Sequence, residues 1–438
     1  MVKYKATVPP EYHEQLATFY PDIFSDKDLI QTITFQVTEN CCLQCTYCYQ
    51  AHNTANDMTF DTAKLFIDKL LNDQLEPITT KTRKGVIFEF IGGEPFLMID
   101  LVTQITDYIW ESMIRMDHPW LFFSRISISS NGLLYFQPKV QAYLNKYAPF
   151  ISLGISLDGN KELHDSCRLD LDGNGSYDRV IAAVRAYKKT YGDMPSIKMT
   201  YATANIGYLY DSMIYLISEG YTALQGNCVF EEGWDYPHAT ILYNELKRVA
   251  DYLIDNELYT KISVSFFDEE AFIPLPEDDN ENWCGGTGCS MLALDNIGDC
   301  YRCIRYMKSA LQGDQPPLPI GDIDNGIAQL PHHKENFDST LDITRRSQST
   351  DECFYCPVGR GCAWCSAYNY QALGSVNKRA TYICVMHKAR ALANVYYWNS
   401  LYKKLNINKV KQNYLPDEES LKIISQEELD KLKLLEGR

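Results

Sequence analysis

Short apolar, β-branched runs alternate with stretches of helical period along the first half of the chain. Six runs have strand-like composition, at residues 33–37, 86–90, 126–129, 151–156, 197–201 and 224–230. Helical patterns lie between them at residues 61–72, 101–113, 177–191 and 208–218. Strands that alternate with helices predict βαβ units, a parallel sheet and right-handed crossovers. Six units are too few for a closed eight-stranded barrel, so the pattern predicts an α/β fold with a partial (β/α)6 TIM-like barrel.

The pattern divides the chain into five regions. Residues 1–30 form an N-terminal extension, 31–230 the barrel, 231–282 a bridging region, 283–387 a cysteine-rich domain and 388–438 a helical tail. The bridging region has one helical pattern, at residues 241–256, and the tail has two, at 388–405 and 418–435. In the cysteine-rich region periodicity fades while Gly and Pro increase, which is typical of a small domain held by metal rather than by an apolar core.

Composition narrows the class of protein. The chain has 438 residues with 45% hydrophobic side chains, enough for a sizeable core, and a net charge of −16 that argues against nucleic acid as a partner. We find neither a signal peptide nor an apolar run of about 18 residues, so we expect a cytoplasmic protein without membrane contact. Fifteen cysteines in a reducing compartment indicate metal or redox chemistry rather than disulfides.

Cys41-x3-Cys45-x2-Cys48 follows the first predicted strand directly. Three thiolates on one tight loop can hold three irons of a [4Fe–4S] cubane and leave the fourth iron open. The alternative is half of a zinc site, for which the nearby His52 would supply a fourth ligand.

Polar or glycine-rich motifs follow the next three predicted strands. They are Gly92-Gly93-Glu94-Pro95, Ser129-Ser130-Asn131-Gly132 and Ser156-Leu157-Asp158-Gly159. Ligands of α/β sheets and barrels bind at the carboxyl ends of the strands, where these motifs and the cysteine loop would meet. The ordered set therefore predicts one ligand site at this end of the barrel.

Taken together, these motifs resemble the radical S-adenosylmethionine (SAM) superfamily. The continuation His164-Asp165-x2-Arg168, with Gly173-x-Gly175-Ser176-Tyr177 after it, resembles the branch that modifies peptides and proteins. The resemblance implies that SAM chelates the open iron and is split reductively into a 5′-deoxyadenosyl radical.

The resemblance also assigns SAM contacts. Tyr47 would lie along the adenine, and Gly92, Gly93 and Glu94 would meet the methionyl amine. Ser156 and Arg168 would meet the SAM carboxylate or ribose, with Asp158 supporting the turn and Ser130 and Asn131 completing the site. Arg179 is the alternative to Arg168 for the contact with the SAM carboxylate or ribose, and both alternatives stay open. No catalytic acid or base is identified.

The later cysteines resemble a SPASM domain, which carries two auxiliary [4Fe–4S] clusters in peptide-modifying radical SAM enzymes. The resemblance implies that auxiliary cluster I takes Cys284, Cys289, Cys303 and Cys365. It implies that auxiliary cluster II takes Cys353, Cys356, Cys362 and Cys384. Two departures leave ligands open: the family usually has x3 where Cys362-x2-Cys365 stands, and Cys300 lies beside Cys303. A pair of zinc knuckles is the structural alternative.

The expected function is a maturase of ribosomally made peptides that forms a thioether or other crosslink with SAM and three [4Fe–4S] clusters. Expected partners are a precursor peptide, an electron donor such as flavodoxin or ferredoxin, and a separate leader-binding protein. Anaerobic sulfatase-maturating (formylglycine-generating) enzymes are the alternative, against which Ile91 and Ile304 count because that subfamily tends to have Gln and Asp there. A non-catalytic iron–sulfur or zinc interaction protein is the alternative of another class.

Overall fold

The computed structural model describes residues 30–51, 56–80, 82–231, 233–280, 284, 290–341, 343–362 and 365–437. Three predictions fall outside these ranges: nearly all of the N-terminal extension, the zinc alternative for His52, and the ligand Cys289.

Ten strands of the described ranges form one sheet, and two more form a small separate pair. The strands are β1 Ile30–Thr38, β2 Gly85–Gly92, β3 Ser124–Ser130, β4 Ile151–Ser156, β5 Ser196–Tyr201, β6 Ala223–Leu224, β7 Gly226–Cys228, β8 Ser263–Val264, β9 Met291–Leu294, β10 Asp299–Tyr301, β11 Gly321–Asp322 and β12 Gly326–Ile327. The large sheet has the order β12-β11-β10-β9-β1-β2-β3-β4-β5-β7, and β6 pairs with β8.

The α-helices of the described ranges separate and cover these strands. They are α1 Phe60–Leu71, α2 Ile99–Arg115, α3 Pro138–Tyr147, α4 Lys161–Cys167, α5 Tyr177–Tyr191, α6 Leu209–Glu219, α7 Tyr236–Asp255, α8 Pro331–Leu341, α9 Arg345–Gln348, α10 Asp351–Phe354, α11 Ser366–Leu373, α12 Cys384–Lys404, α13 Asp417–Ser420 and α14 Gln426–Glu436. In this part of the chain no helix is long and apolar enough to cross a membrane.

The predicted barrel is confirmed as six parallel strands, β1-β2-β3-β4-β5-β7. Its core lies between the sheet and the helices. Phe35 of β1 stacks on Phe90 of β2 with ring centroids 5.6 Å apart and meets the edge of Phe66 of α1 at 5.7 Å. All three side chains are buried, so the β-rich runs and the apolar face of the helix stabilise each other.

Two predicted elements were wrong in detail. The predicted strand at 224–230 is divided into β6 and β7, and only β7 joins the barrel. The chain passes close to an aromatic ring there, since a Cβ added to Gly226 would lie 2.5 Å from Phe266. The predicted helix at 418–435 is interrupted, because Ser425 begins a new helix by accepting a hydrogen bond from the Glu428 amide at 3.2 Å.

The cysteine-rich region continues the barrel sheet. Strand β9 pairs parallel to β1, on the side opposite β2, and then turns back as the antiparallel β10. Helix α12 starts at Cys384 in the same region and packs along α7. The predicted cluster region is therefore attached directly to the strand that precedes the first cysteine loop.

Candidate active site

The loop that carries Cys41, Cys45 and Cys48 is enclosed by the segment that follows α4. The Gln44 amide donates a hydrogen bond to the Leu169 carbonyl at 2.8 Å, and the Thr46 amide donates to the Cys167 carbonyl at 2.9 Å. The His-Asp-x2-Arg motif thus supplies the outer wall of the cysteine loop.

Gly92 and Gly93 bring the end of β2 against the same loop. A Cβ added to Gly93 would lie 2.2 Å from the Asn40 carbonyl oxygen, and one added to Gly92 would lie 2.5 Å from the Thr38 carbonyl oxygen. The Glu94 amide donates to the Asn40 carbonyl at 2.8 Å. Only glycine allows this close approach of two backbones.

We therefore expect the Gly93→Ala variant to displace the cysteine loop and lose the cluster bound there. The measurement is iron content after anaerobic reconstitution, which should fall by about four atoms per chain. Gly207→Ala is the matched control, because the nearest atom to its added Cβ is 4.0 Å away. A Gly93→Ala protein with full iron content would contradict this account of the motif.

Glu94 joins the ends of β2 and β3. Its carboxylate is fully buried and accepts hydrogen bonds from the Phe96 amide at 3.0 Å, the Ser130 hydroxyl at 2.9 Å and the Asn131 amide at 2.7 Å. Burial raises the pKa of Glu94 to about 7 against the effect of these donors. Its carboxylate is held by donors that follow β2 and end β3, and the SAM contact implied for Glu94 remains a prediction.

Asn131 extends this connection to the cysteine loop. Its side-chain amide nitrogen lies 3.7 Å from the sulfur of Cys41 and 3.2 Å from that of Cys42. The ends of β2 and β3 and the first cysteine are consequently held in one hydrogen-bonded unit.

A second buried network joins the end of β4 to the cysteine loop. The Asp158 carboxylate accepts from Nε and Nη2 of Arg168 at 2.8 and 3.1 Å, from the Thr200 amide at 3.0 Å and from the Tyr47 hydroxyl. Nη1 of Arg168 lies 3.9 Å from the sulfur of Cys45. Burial alone would lower the pKa of Arg168, but Asp158, Tyr47 and Cys45 raise it well above its usual value.

Arg179, the alternative to Arg168 for the SAM contact, lies in a more exposed environment. Arg179 is half exposed and pairs with Asp170 at 2.7 Å, whereas Arg168 is buried. His164 supports the Arg168 segment, because the Ser176 hydroxyl bonds both its Nε2, at 2.9 Å, and the Arg168 carbonyl, at 2.7 Å. The predicted SAM contacts of Arg168, Tyr47 and Ser156 remain predictions.

The barrel interior is polar and accessible. Along β3, β4 and β5 one set of alternate side chains is buried and mostly apolar. The other set is small or polar and mostly accessible, and includes Ser129, Ser152, Ser156, Ser196 and Lys198. Although the Lys198 side chain is accessible, the surrounding barrel displaces part of its hydration, and this desolvation lowers the pKa of Lys198; the Arg168 and Arg305 cations lower it further, with Glu89 opposing. Ser156 was predicted as a SAM contact and Ser129 belongs to a predicted strand-end motif, whereas Ser152, Ser196 and Lys198 were not predicted. The period-2 alternation of Ser with Ile in β3 and β4 was the available signal for the serines.

The cysteine-rich region contacts the first cysteine loop directly. The Arg305 guanidinium lies over the Tyr49 ring, 4.1 Å from its centroid, and pairs with Glu231 after β7. The Gln312 side chain donates to the Cys48 carbonyl at 3.2 Å. The region that follows Cys303 therefore forms part of the wall around Cys48.

The remaining predicted ligands lie in two groups. Cys284, Cys303 and Cys365 are near enough that their charges affect one another. A second group consists of Cys353, Cys356, Cys362 and Cys384, which line one cavity together with Cys365 of the first group. Burial raises the pKa of Cys365 to about 11 and that of Cys362 to about 12, so these thiols release protons when a metal binds.

Cys300 lies apart from both groups. It is fully buried in β10 and belongs to the apolar core, and burial raises the pKa of its thiol well above the usual value. Within the described ranges, no three Cys, His, Asp or Glu side chains converge closely enough for a single metal ion. A [4Fe–4S] cluster does not require its ligands to converge on one point, because each thiolate binds a separate iron.

Comparisons with known proteins agree with this arrangement. A family model described as a 4Fe-4S single cluster domain matches residues 32–137. A cysteine-type anaerobic sulfatase-maturating enzyme of Clostridium novyi is 31% identical over 160 residues, which are 35% of this chain and 40% of that protein. The antilisterial bacteriocin subtilosin biosynthesis protein AlbA of Bacillus subtilis is 24% identical over 290 residues, 64% of this chain and 56% of that protein.

Solved structures with the same fold are also known. Native anSMEcpe with bound AdoMet and the Kp18Cys peptide superposes with a TM-score of 0.60 at 18% identity, covering 86% of this chain and 98% of that one. The resemblance drawn from the motifs is thus confirmed: the chain is a relative of the radical SAM maturation enzymes and has the fold of their SPASM-bearing members.

Proposed function

We propose that this protein binds a [4Fe–4S] cluster through Cys41, Cys45 and Cys48 and cleaves SAM reductively there. The observation that carries the proposal is the pair of buried networks around the cysteine loop. Glu94 and Asn131 connect two strand ends to Cys41, and Asp158 and Arg168 connect a third to Cys45. A simple electron carrier needs neither this convergence nor an accessible barrel interior.

The donor set fits the cofactors. SAM bound at an open iron supplies a 5′-deoxyadenosyl radical when it accepts one electron. In this chain the Asp158–Arg168 pair fixes the loop, and the accessible barrel interior admits SAM and a substrate segment. The protein thereby positions the reactants, which is a main task of the protein in cofactor-based chemistry.

We also propose two auxiliary [4Fe–4S] clusters. The grouping of Cys284, Cys303 and Cys365 supports auxiliary cluster I, with Cys289 as the fourth ligand. Cys353, Cys356, Cys362 and Cys384, four of the five cysteines that line the cavity, support auxiliary cluster II without Cys300. Nearby cations suit an anionic cluster, since Arg305 affects Cys365, and Arg379 affects Cys362 and Cys384.

The proposed substrate is a ribosomally made precursor peptide in which a thioether or similar crosslink is formed. For a thioether, the hydrogen atom from the attacked carbon goes to the deoxyadenosyl carbon. The thiol proton goes to solvent, and one electron leaves through the auxiliary clusters. AlbA, named for subtilosin biosynthesis, and the peptide bound to anSMEcpe support this substrate class. The proposed setting is the reducing cytoplasm, with a flavodoxin or ferredoxin as electron donor and a separate leader-binding protein.

Sulfatase maturation is the second candidate, favoured by 31% identity to the Clostridium novyi enzyme. That identity covers 35% of this chain, and Ile91 and Ile304 depart from the pattern of that subfamily. The two functions differ in the fate of sulfur, because a Cys converted to formylglycine loses it and a thioether keeps it.

The test is mass spectrometry of peptides incubated with the reconstituted protein, SAM and dithionite. The peptides are Cys-containing precursors encoded beside the gene, with a sulfatase-type Cys peptide for comparison. We expect the precursor to lose two hydrogen atoms and keep its sulfur, and the Cys41→Ala/Cys45→Ala/Cys48→Ala protein to give no product. Formylglycine in the sulfatase peptide, with unchanged precursors, would favour the second candidate instead.

A further inference from the structure

The cavity lined by Cys353, Cys356, Cys362 and Cys384 also contains a cation aimed at one of the sulfurs. The cavity has a volume of about 790 Å³, and Arg379 lies in its wall. Nη1 of Arg379 is 3.0 Å from the Cys353 sulfur, a hydrogen-bond distance for a sulfur acceptor. This contact is shorter than the 3.9 Å between Nη1 of Arg168 and the Cys45 sulfur.

The position of Arg379 is fixed by the backbone around it. Its amide donates to the Gln348 carbonyl at 3.1 Å, and the next amide, that of Ala380, donates to the Asn369 side chain at 2.9 Å. The Gln348 side chain in turn donates to the Val376 carbonyl at 2.8 Å. The loop before α12 is thus tied at both sides of Arg379, which restrains the guanidinium against Cys353.

Arg379 and Lys388 are two cations in the cavity wall, and they differ in what they contact. Lys388 also lines the cavity, and its charge acts on Cys356 and Cys384, but its ammonium pairs with Glu419 at 2.7 Å, whereas the Arg379 guanidinium contacts a cysteine sulfur. The Arg379 charge affects Cys356, Cys362 and Cys384 as well as the sulfur that it contacts. One side chain therefore acts on all four predicted ligands.

We propose that Arg379 is a positioning residue for auxiliary cluster II that donates an N–H···S hydrogen bond to the Cys353 thiolate and raises the reduction potential of the cluster. This inference rests on the proposed function. Reduction adds one negative charge to the cluster, and a cation with a hydrogen bond to a ligand sulfur stabilises that charge. Arg379 would thus make auxiliary cluster II the better acceptor for the electron released when the substrate radical resolves.

The test is a potentiometric titration followed by EPR on the reconstituted full-length protein. The couple of auxiliary cluster II is identified as the one lost in Cys384→Ala. In Arg379→Gln we expect this couple alone to move to more negative potential, with about tenfold less reduced cluster at a fixed potential, or about 59 mV for one electron. Arg346→Gln is the matched control, since Arg346 is half exposed and pairs with the exposed Asp351.

A second variant is needed in case Arg379→Gln loses auxiliary cluster II altogether. If Arg379→Gln binds about four irons fewer, the reduction potential of auxiliary cluster II is measured in Arg379→Lys instead. This variant keeps the positive charge without the planar donor. A smaller negative shift in Arg379→Lys would support the inference. An unchanged couple in a variant with about twelve irons, or loss of iron from both variants, would overturn it. Wild-type protein that binds zinc in place of these irons would instead refute the proposed auxiliary clusters, while absence of SAM cleavage would refute the proposed function.

Discussion

Replacing Cys41, Cys45 and Cys48 with alanine together is expected to abolish formation of 5′-deoxyadenosine from SAM. The three thiolates are the proposed ligands of the only cluster with an open iron, so the variant has no iron for the SAM amine and carboxylate to chelate. About eight of about twelve irons should remain, because the auxiliary cysteines lie in separate groups. The measurements are chromatography of the SAM products under dithionite and iron content.

Cys42→Ala is the matched control for this variant. The Cys42 sulfur lies 3.2 Å from the Asn131 amide nitrogen, nearer than the Cys41 sulfur at 3.7 Å, so the structure offers two candidates for the first ligand. The Cys41-x3-Cys45 spacing predicts that Cys42→Ala still cleaves SAM and that Cys41→Ala does not. The reverse result would assign the first ligand to Cys42.

Removal of the Asp158 charge is expected to destabilise the barrel strongly. In Asp158→Asn the guanidinium of Arg168 loses its buried carboxylate partner, and the Tyr47 hydroxyl loses its charged acceptor. Breaking one side of a buried ion pair costs about 3–5 kcal/mol, because the remaining charge stays buried without compensation. Urea unfolding of the apoprotein measures this loss independently of the clusters.

The pair of Asp170 and Arg179 provides the control. Arg179 is half exposed, so water compensates its charge and Asp170→Asn should change the free energy of unfolding far less. The variant Asp158→Asn/Arg168→Gln should recover part of the stability, since no unpaired charge remains. If Asp158→Asn were no less stable than Asp170→Asn, the buried network would not organise the cysteine loop as argued.

The sequence predicted the strands that position the site because their signals are local. The apolar run at 33–37 and the glycines at 92 and 93 indicated where strands begin and end, and β1 and β2 lie there. What the sequence did not indicate is non-local. Strand β9 is a four-residue apolar run whose pairing with β1 depends on the whole sheet, and local periodicity cannot predict such a partner.

In the candidate site, too, local features were predictable from the sequence and non-local contacts were not. Spacing identified the cysteines, but the partner of each polar side chain was not contained in the motifs. The motifs did not indicate that the Glu94 carboxylate accepts from the Asn131 amide or that Arg168 pairs with Asp158, and the SAM contacts predicted for Glu94 and Arg168 stay predictions. Arg379 has no motif of its own, and its contact with Cys353 depends on the fold of a loop 26 residues further along the chain.

The central claim is that this chain carries three [4Fe–4S] clusters, one of which activates SAM. Its most direct test is the iron, sulfide and zinc content of the anaerobically reconstituted wild-type protein, measured together with 5′-deoxyadenosine formed under dithionite. We expect about twelve irons and about twelve sulfides per chain, no zinc, and formation of 5′-deoxyadenosine. About four irons with bound zinc would make the C-terminal half a structural zinc module, and absence of deoxyadenosine from a protein with about twelve irons would contradict SAM cleavage.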